Sequence, residues 1–329
     1  AYDYDLRSAY AAELAKMPDI HQGTWFKGRS KPQNAILGFL KGKVYITYPL
    51  SPIAYENIIL GLDRYCTPTG SWSCCLTQTE ADFIEEYGIG HFEIQEGWWF
   101  VPTKNITYPY QSIMAYLHKQ KESAAGLAKE IYKHILTGCY GKTLESWAGR
   151  FGPLFNPVWG TMVETNVRLK VAAFCIEAAN RGCNPLHIAV DGVLLDHPIP
   201  EECLGPDMGD WKLAGQAPLI IVSSGVLGFG SSGQTEDSFS LNYNKLKSLI
   251  LSAPRESSYE LTRPSVMTIP IALQQNRWNE LGNVYDLART INIQGEKKRY
   301  YPIKPKCGQE LLNGVYGSEP WDSYLLEEM

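Results

Sequence analysis

The stretch His187-Ile188-Ala189-Val190-Asp191-Gly192-Val193-Leu194-Leu195 sets an Asp-Gly pair between two apolar runs. Such a pair is a strong hairpin signal, because its residues accept the backbone twist that a tight antiparallel turn demands. It predicts strand, turn, strand over Leu186 to Leu195, with Asp191-Gly192 at the turn. A carboxylate there either serves the turn alone or is lifted off the sheet towards a cation, and the two roles are compatible.

A second carboxylate of this kind opens the chain, in Tyr2-Asp3-Tyr4-Asp5-Leu6-Arg7-Ser8-Ala9-Tyr10. Residues 1–5 alternate aromatic and acidic side chains, as a strand does with one face buried and the other lining a site. Ser8 to Met17 is rich in Ala, Leu, Glu and Lys and predicts a helix that stops at Pro18-Asp19. Asp5 then sits at a strand-to-helix turn, where it either caps the helix or reaches a metal. Between the two carboxylates lies Lys133-His134-Ile135-Leu136-Thr137-Gly138-Cys139-Tyr140-Gly141. Lys129, Lys133, Thr137 and Tyr140 recur there on one helix face. Lysines on that face can reach phosphates; otherwise it is a solvated lysine face with a buried tyrosine. Two separated carboxylates that hold divalent ions, and a lysine that neutralises a triphosphate, together have the chemistry of nucleotidyl transfer.

In this order the three blocks resemble motifs A, B and C of family B DNA polymerases, especially the protein-primed phage and plasmid branch. Asp5, Ser8 and Tyr10 fall on the Asp, Ser and Tyr of motif A. Lys133, Tyr140 and Gly141 match motif B, with Thr137-Gly138 replacing its Asn-Ser pair. Ala189-Val190-Asp191 stands at motif C, where only the second aspartate is kept. The family's downstream Lys-x-Tyr is missing from the matching stretch, Leu219 to Leu227. The resemblance spans roughly residues 1–230.

It implies an α+β right-hand polymerase fold with an antiparallel palm sheet, helical-hairpin fingers and a C-terminal thumb. Residues 1–20 would be palm with motif A, 21–107 an insertion within the palm, and 108–142 fingers with motif B. Residues 143–232 would be palm with motif C and 233–329 the thumb. The implied reaction is template-directed DNA synthesis from dNTPs onto a primer 3′-hydroxyl. Asp5 and Asp191 would be catalytic and, with the backbone carbonyl of Leu6, would hold two Mg²⁺ ions, for which Mn²⁺ can substitute. Leu6, Tyr10, Lys133 and Tyr140 would bind the nucleotide, with Tyr10 beneath the incoming sugar. The implied partners are primer-template DNA, dNTPs, and a terminal priming protein or an upstream exonuclease domain, in the cytoplasm. A proofreading domain precedes motif A in that family. The numbering here opens inside the motif, so the expectation is either a fragment, which is favoured, or an exonuclease-free polymerase core, without proofreading in this chain in either case.

Composition agrees with an ordinary globular protein: 329 residues, 44% hydrophobic and 12% aromatic, enough for two or three subdomains. The net charge of −5 lacks the basic footprint usual for nucleic-acid binders, although a local groove matters more than the sum. No apolar run approaches the roughly 18–20 residues that cross a bilayer. The eight cysteines include no Cys-x-x-Cys, which argues against a zinc site and for reduced thiols.

Residues 108–142 predict two helices joined near Glu122-Ser123-Ala124-Ala125-Gly126. Glu93 to Phe100 predicts a hairpin with Gly97 at its turn, and Trp98 and Trp99 either stack on bases or pack in a core. Thr161 to Asn180 predicts a helix whose Arg168 approaches the site or forms a surface ion pair. Ser231 to Thr235 is polar and Gly/Ser-rich, as at a boundary. Beyond it, Lys297, Lys298 and Arg299 interleave with Tyr300 and Tyr301, a strip suited either to a duplex backbone or to a solvated loop. Two rivals remain on sequence alone. One is a polymerase-derived protein that binds nucleic acid or a partner and has lost catalysis, which Ala189 and the missing Lys-x-Tyr favour. The other is an unrelated metal-dependent phosphotransferase, which would account for the two aspartates but not for the Lys-Tyr-Gly block.

Overall fold

A computed structural model describes residues 1–56, 65–103, 105–147, 149–223, 226–230, 243–252, 258–292, 299–300, 310–312, 315–316 and 319–320. The chain starts with β1 (Tyr2–Leu6) and α1 (Ala9–Leu14), then β2 (Gly23–Gly28), β3 (Leu37–Ile46) and the short pair β4 (Tyr55–Glu56) and β5 (Tyr65–Cys66). β6 (Thr69–Thr77), α2 (Gln78–Glu86) and β7 (Gly90–Pro102) follow. The helices α3 (Gln111–Ser123) and α4 (Gly126–Thr143) form the expected αα-hairpin. The short pair β8 (Ser146–Trp147) and β9 (Arg150–Phe151), the long helix α5 (Pro157–Asn180) and the strands β10 (Pro185–Ala189), β11 (Gly192–Leu195) and β12 (Trp211–Gln216) come next. Then come β13 (Leu219–Ser223), β14 (Val226–Phe229), α6 (Tyr243–Ser252), β15 (Ser258–Val266), α7 (Ile269–Gln275), β16 (Val284–Asn292), β17 (Arg299–Tyr300), β18 (Glu310–Leu312) and β19 (Val315–Tyr316).

The chain divides into two compact units, Ala1–Gly215 with Tyr301–Glu319, and Gln216–Tyr300 with Pro320–Met329. In the second unit, β13 pairs with β14 and β15 with β16, both antiparallel. The first unit holds the two larger sheets. One has four strands in the order β10-β11-β1-β12, the other six in the order β18-β19-β6-β3-β7-β2.

Helix α5 joins these layers. Its N-cap Asn156 accepts a hydrogen bond from Trp159 N at 3.1 Å, and Pro157 fits the first turn, where its missing N–H costs nothing. Val167, Val171, Phe174 and Cys175 pack on Tyr4, Leu6, Val193 and Leu195 of the four-stranded sheet. Leu169, Ala172 and Ile176 join the core of the six-stranded sheet with Val44, Trp72, Ile84 and Trp99. Met162 and Val163 meet Leu14, Met114, Leu117 and Leu136 of α1, α3 and α4. A helix that buries residues in three separate cores has to be central, because each buried face needs its own partner.

Two expectations are revised by the structure and one open alternative, at Arg168, is decided in favour of an ion pair. Glu93 to Phe100 is not a hairpin but the middle of the 13-residue strand β7. Gly97 pairs with Gly28 on one side and Leu40 on the other. A Cβ on Gly97 would lie 2.7 Å from Trp99 Nε1 and 3.0 Å from Leu40, so the glycine admits a neighbouring ring rather than a turn. Trp99 is buried and its indole donates to Gly28 O at 3.1 Å, whereas Trp98 is exposed beneath Lys27. Arg168 is ion-paired with the buried Glu80, which closes a capping box with Thr77 at the start of α2. The predicted helix from Ser8 to Met17 is shorter, Ala9–Leu14, and its last turn tightens through Lys16 N to Glu13 O and Met17 N to Leu14 O. No helix among the described residues is long and apolar enough to cross a membrane.

The crowding at Gly97 gives a test of the strand assignment. Gly97→Ala should cost about 1–3 kcal/mol through overpacking against Trp99, measured from the urea midpoint at unchanged m-value. An exposed hairpin turn would lose no more than about 0.5 kcal/mol for the same change.

Candidate active site

Strand β1 separates its side chains by alternation: Tyr4 and Leu6 are buried against α5, while Asp3 and Asp5 face the other way. Tyr4 is anchored further by its hydroxyl, which accepts from Ile199 N at 3.0 Å. Asp5 therefore lies within the strand and does not cap α1. The cap position belongs to Ser8, whose backbone is left-handed at φ 50° and whose side chain makes no capping bond. Ser8 Oγ instead accepts from Lys121 Nζ at 2.9 Å and lies 3.2 Å from His118 Nδ1, tying the start of α1 to α3.

The predicted hairpin forms, with its turn one residue earlier than the Asp-Gly signal indicates. Ala189 pairs with Gly192, leaving Val190 and Asp191 as the turn. Gly192 is drawn into the ladder because it also pairs with Asp5. Val190 then has to take the left-handed backbone, at φ 56°, with the residue 71% exposed. A β-branched residue held there costs on the order of 1–3 kcal/mol, a strain that concentrates at functional sites. Leu6 N donates to Asp191 O at 3.1 Å, which fixes the turn beside Asp5.

Asp5, Leu6, Tyr10, Lys133 and Asp191 all line one cavity of about 670 Å³. Its wall also carries Lys129 and Thr137, so three of the four residues expected on one face of α4 reach it. Tyr140, the fourth, stacks on Tyr10 at 4.6 Å between ring centroids instead of lining the cavity. Lys133 is largely exposed, its ammonium 3.7 Å from Glu130. Sequence reasoning missed Arg7, Lys121 and Lys212, all cationic and all on this wall. Lys212 lies in no motif, and a tertiary contact sets its direction. Trp211 stacks on Phe174 at 4.0 Å on the helix side of β12, so alternation sends the next residue to the side of Asp5. Lys212 Nζ lies 2.8 Å from Asp5 Oδ2.

The electrostatics follow from this crowding. Burial first, and the nearby Asp5 second, raise the Asp191 carboxyl above its usual range. Asp3 is raised by the same two causes, against the pull of Lys212. Burial, then Asp191 and Glu164, raise the Tyr10 phenol; burial and Glu164 push that of Tyr140 up to about 12. Both phenols are thus harder to ionise than a free tyrosine.

Among the described residues, no group of three or more His, Cys, Asp and Glu converges as a ligand set. Two carboxylates in an open cavity do not make a closed zinc site. They do fit Mg²⁺, which keeps much of its water and is bound through one or two carboxylates and substrate phosphates. Lys212, resting on Asp5, shows that a cation is already accommodated at that carboxylate. Lys297 and Lys298 lie outside the described residues, and of Arg299 only the backbone in β17 is described.

No family model and no curated protein matches this chain. Solved structures do. Phi29 DNA polymerase in a ternary complex with primer-template DNA and incoming nucleotide substrates superposes with TM-score 0.56 at 13% identity, over 89% of this chain and 57% of the other. Its post-translocation binary complex with primer-template DNA gives TM-score 0.55 at 14% identity, again over 89% and 57%. The orthorhombic crystal form gives 0.54 at 12%, over 89% and 58%. The chain thus spans rather more than half the length of that polymerase and shares its fold across most of its own residues.

Proposed function

We propose that this chain is the synthetic core of a DNA polymerase related to the protein-primed family B enzymes, and that it extends a primer 3′-hydroxyl from dNTPs on a DNA template. One observation carries the reading: Asp5 and Asp191, far apart in sequence, line a single cavity whose wall includes the lysine-bearing face of α4. The likeness of fold to a polymerase of known complexes supports it. In this reading the four-stranded sheet is the palm, α3 and α4 are the fingers, and residues 233–329 are the thumb.

Asp5, Asp191 and the carbonyl of Leu6 would hold two Mg²⁺ ions, or Mn²⁺ in their place. When bound, these lower the pKa of the primer hydroxyl and stabilise charge on the leaving pyrophosphate. The chain's own groups do the rest. Lys133, with Lys129 and Lys121 on the same wall, offsets the triphosphate charge in a site partly screened from water. Tyr10 offers its ring face to the incoming sugar, and Tyr140 holds that ring by stacking. Lys297, Lys298 and Arg299 grip the duplex backbone. A terminal priming protein or an exonuclease domain completes the assembly, in the cytoplasm.

Primer extension tests the core of this reading. Asp5→Ala and Asp191→Ala should each lower the rate by at least about a hundredfold, beyond the range seen for outer-shell partners of metal sites. The double variant should be no worse than either single one, because the two groups act as a unit. Near wild-type extension by Asp191→Ala would remove the site. Binding of primer-template without extension by the wild type would identify a polymerase-derived binding protein instead.

Lys133→Ala should raise the KM for dNTPs roughly tenfold while leaving the Kd for primer-template unchanged, the mark of a missing charge pair on the nucleotide. Neutralising Lys297, Lys298 and Arg299 should do the reverse. It should flatten the salt dependence of duplex binding by about one in slope for each phosphate no longer neutralised. An unchanged slope would take these three off the DNA path.

Tyr10→Ala should relax sugar selectivity without stopping synthesis, since a steric wall discriminates by clash. Competing dNTP and rNTP incorporation measures this. Free use of ribonucleotides by the wild type would mean that the chain is not a DNA polymerase.

A further inference from the structure

We propose that Lys212 is the internal cation of the carboxylate site and that it competes with divalent metal for Asp5, so that it sets how tightly the protein binds metal before any substrate arrives. The inference rests on the metal role given above to Asp5 and Asp191, and it concerns a residue outside the three blocks that define the site.

The argument begins with charge. Asp3 and Asp5 share one face of β1, and Asp191 is held next to Asp5 through its backbone bond to Leu6. Like charges brought this close and partly buried repel, and an unpaired buried carboxylate is costly. Strand β12 lies beside β1 and supplies the compensating charge. Lys212 Nζ sits 2.8 Å from Asp5 Oδ2, with both side chains only about one-third exposed. The ammonium also attracts the Asp3 and Asp191 carboxylates.

The position of that ammonium is constrained. Trp211 is stacked on Phe174 on one face of β12, and the next residue has to emerge on the other. The loop before it is bonded to motif A, with Arg7 N donating to Asp210 O at 2.9 Å and Gly209 N to Arg7 O at 2.7 Å. Lys212 is thereby held at the carboxylates by the backbone bonds of its own segment to β1, not carried on a freely moving loop. A divalent ion bound by Asp5 either takes Oδ2, which the ammonium now occupies, or sits on the other oxygen within reach of that ammonium. The lysine must therefore withdraw, or share the carboxylate against the repulsion of a second cation. Its four-carbon stem permits withdrawal, and Lys212 lines the cavity into which the ammonium would move.

Titration of the whole chain with Mn²⁺ alone, reading free ion by electron paramagnetic resonance, tests this without any catalytic readout. Lys212→Met keeps the apolar stem and removes the charge, and should tighten Mn²⁺ binding by about threefold to tenfold, the scale of a partly exposed charge pair. Lys212→Arg keeps the charge and should bind Mn²⁺ as weakly as the wild type. Asp5→Asn should abolish the site in every background, with circular dichroism confirming the fold of each variant. Unchanged or weaker binding by Lys212→Met, with Asp5 still required, would overturn the proposed competition while leaving the two-aspartate site standing. Mn²⁺ binding indifferent to Asp5→Asn would overturn both.

Discussion

Helix α5 contributes to all three apolar cores of the first unit, and the rest of that unit is arranged around it. Phe174 touches Tyr4 and Trp211 on one side, while Leu169 and Ile176 face the large sheet on another. Each such side chain, fully buried, contributes about 1.5–3 kcal/mol. The consequence for the site is geometric. Tyr4, Leu6, Val193 and Leu195 must all point at α5, so the residues between them in β1 and β11 must point away from it. Asp5 faces the open side because its neighbours in sequence are committed to the core. A carboxylate held by a packed strand keeps its position far better than one carried on a loop.

The second constraint is the balance of charge on that open face. Burial first, and the charge of Asp5 second, raise the carboxyls of Asp3 and Asp191, against the pull of Lys212. The same cavity gathers Arg7 from the turn after β1, Lys212 from β12, Lys121 from α3 and Lys129 with Lys133 from α4, beside Glu122 and Glu130. A chain with net charge −5 can still present this groove, because local fields rather than the sum decide binding. The strained Val190 and the uncapped, left-handed Ser8 stand at the two turns that border the cavity. Both are held by long-range bonds, Val190 by the pairing of its hairpin with β1 and Ser8 by Lys121.

Much of this was legible in the amino-acid order. The Tyr-Asp alternation of β1, the αα-hairpin, the lysine face of α4 and the end of α5 at Asn180 all follow from periodicities of two or 3.6 residues. Those signals are local, and the elements they describe satisfy their own hydrogen bonds or bury one regular face. The two aspartates and Lys133 were singled out by the order of the three blocks and its resemblance to the polymerase motifs; alternation and helix spacing by themselves left capping, turn and solvated-face roles open.

What the tertiary structure alone decided depends on contacts between distant segments. Gly97 had the marks of a turn, yet it is a point of close approach for Trp99, which only the register of β7 against β2 and β3 reveals. The Asp-Gly pair indicated a turn at Gly192, but pairing with both Ala189 and Asp5 moved the turn to Val190-Asp191. Arg168 was equally suited to the site or to an ion pair, and the buried Glu80, 88 residues earlier, took it. Lys212 lies in no motif; it reaches Asp5 because β12 becomes the neighbour of β1. A sequence states the preferences of each segment within a few residues, whereas the partner of a charge or a strand is set by which segments the folded core brings side by side.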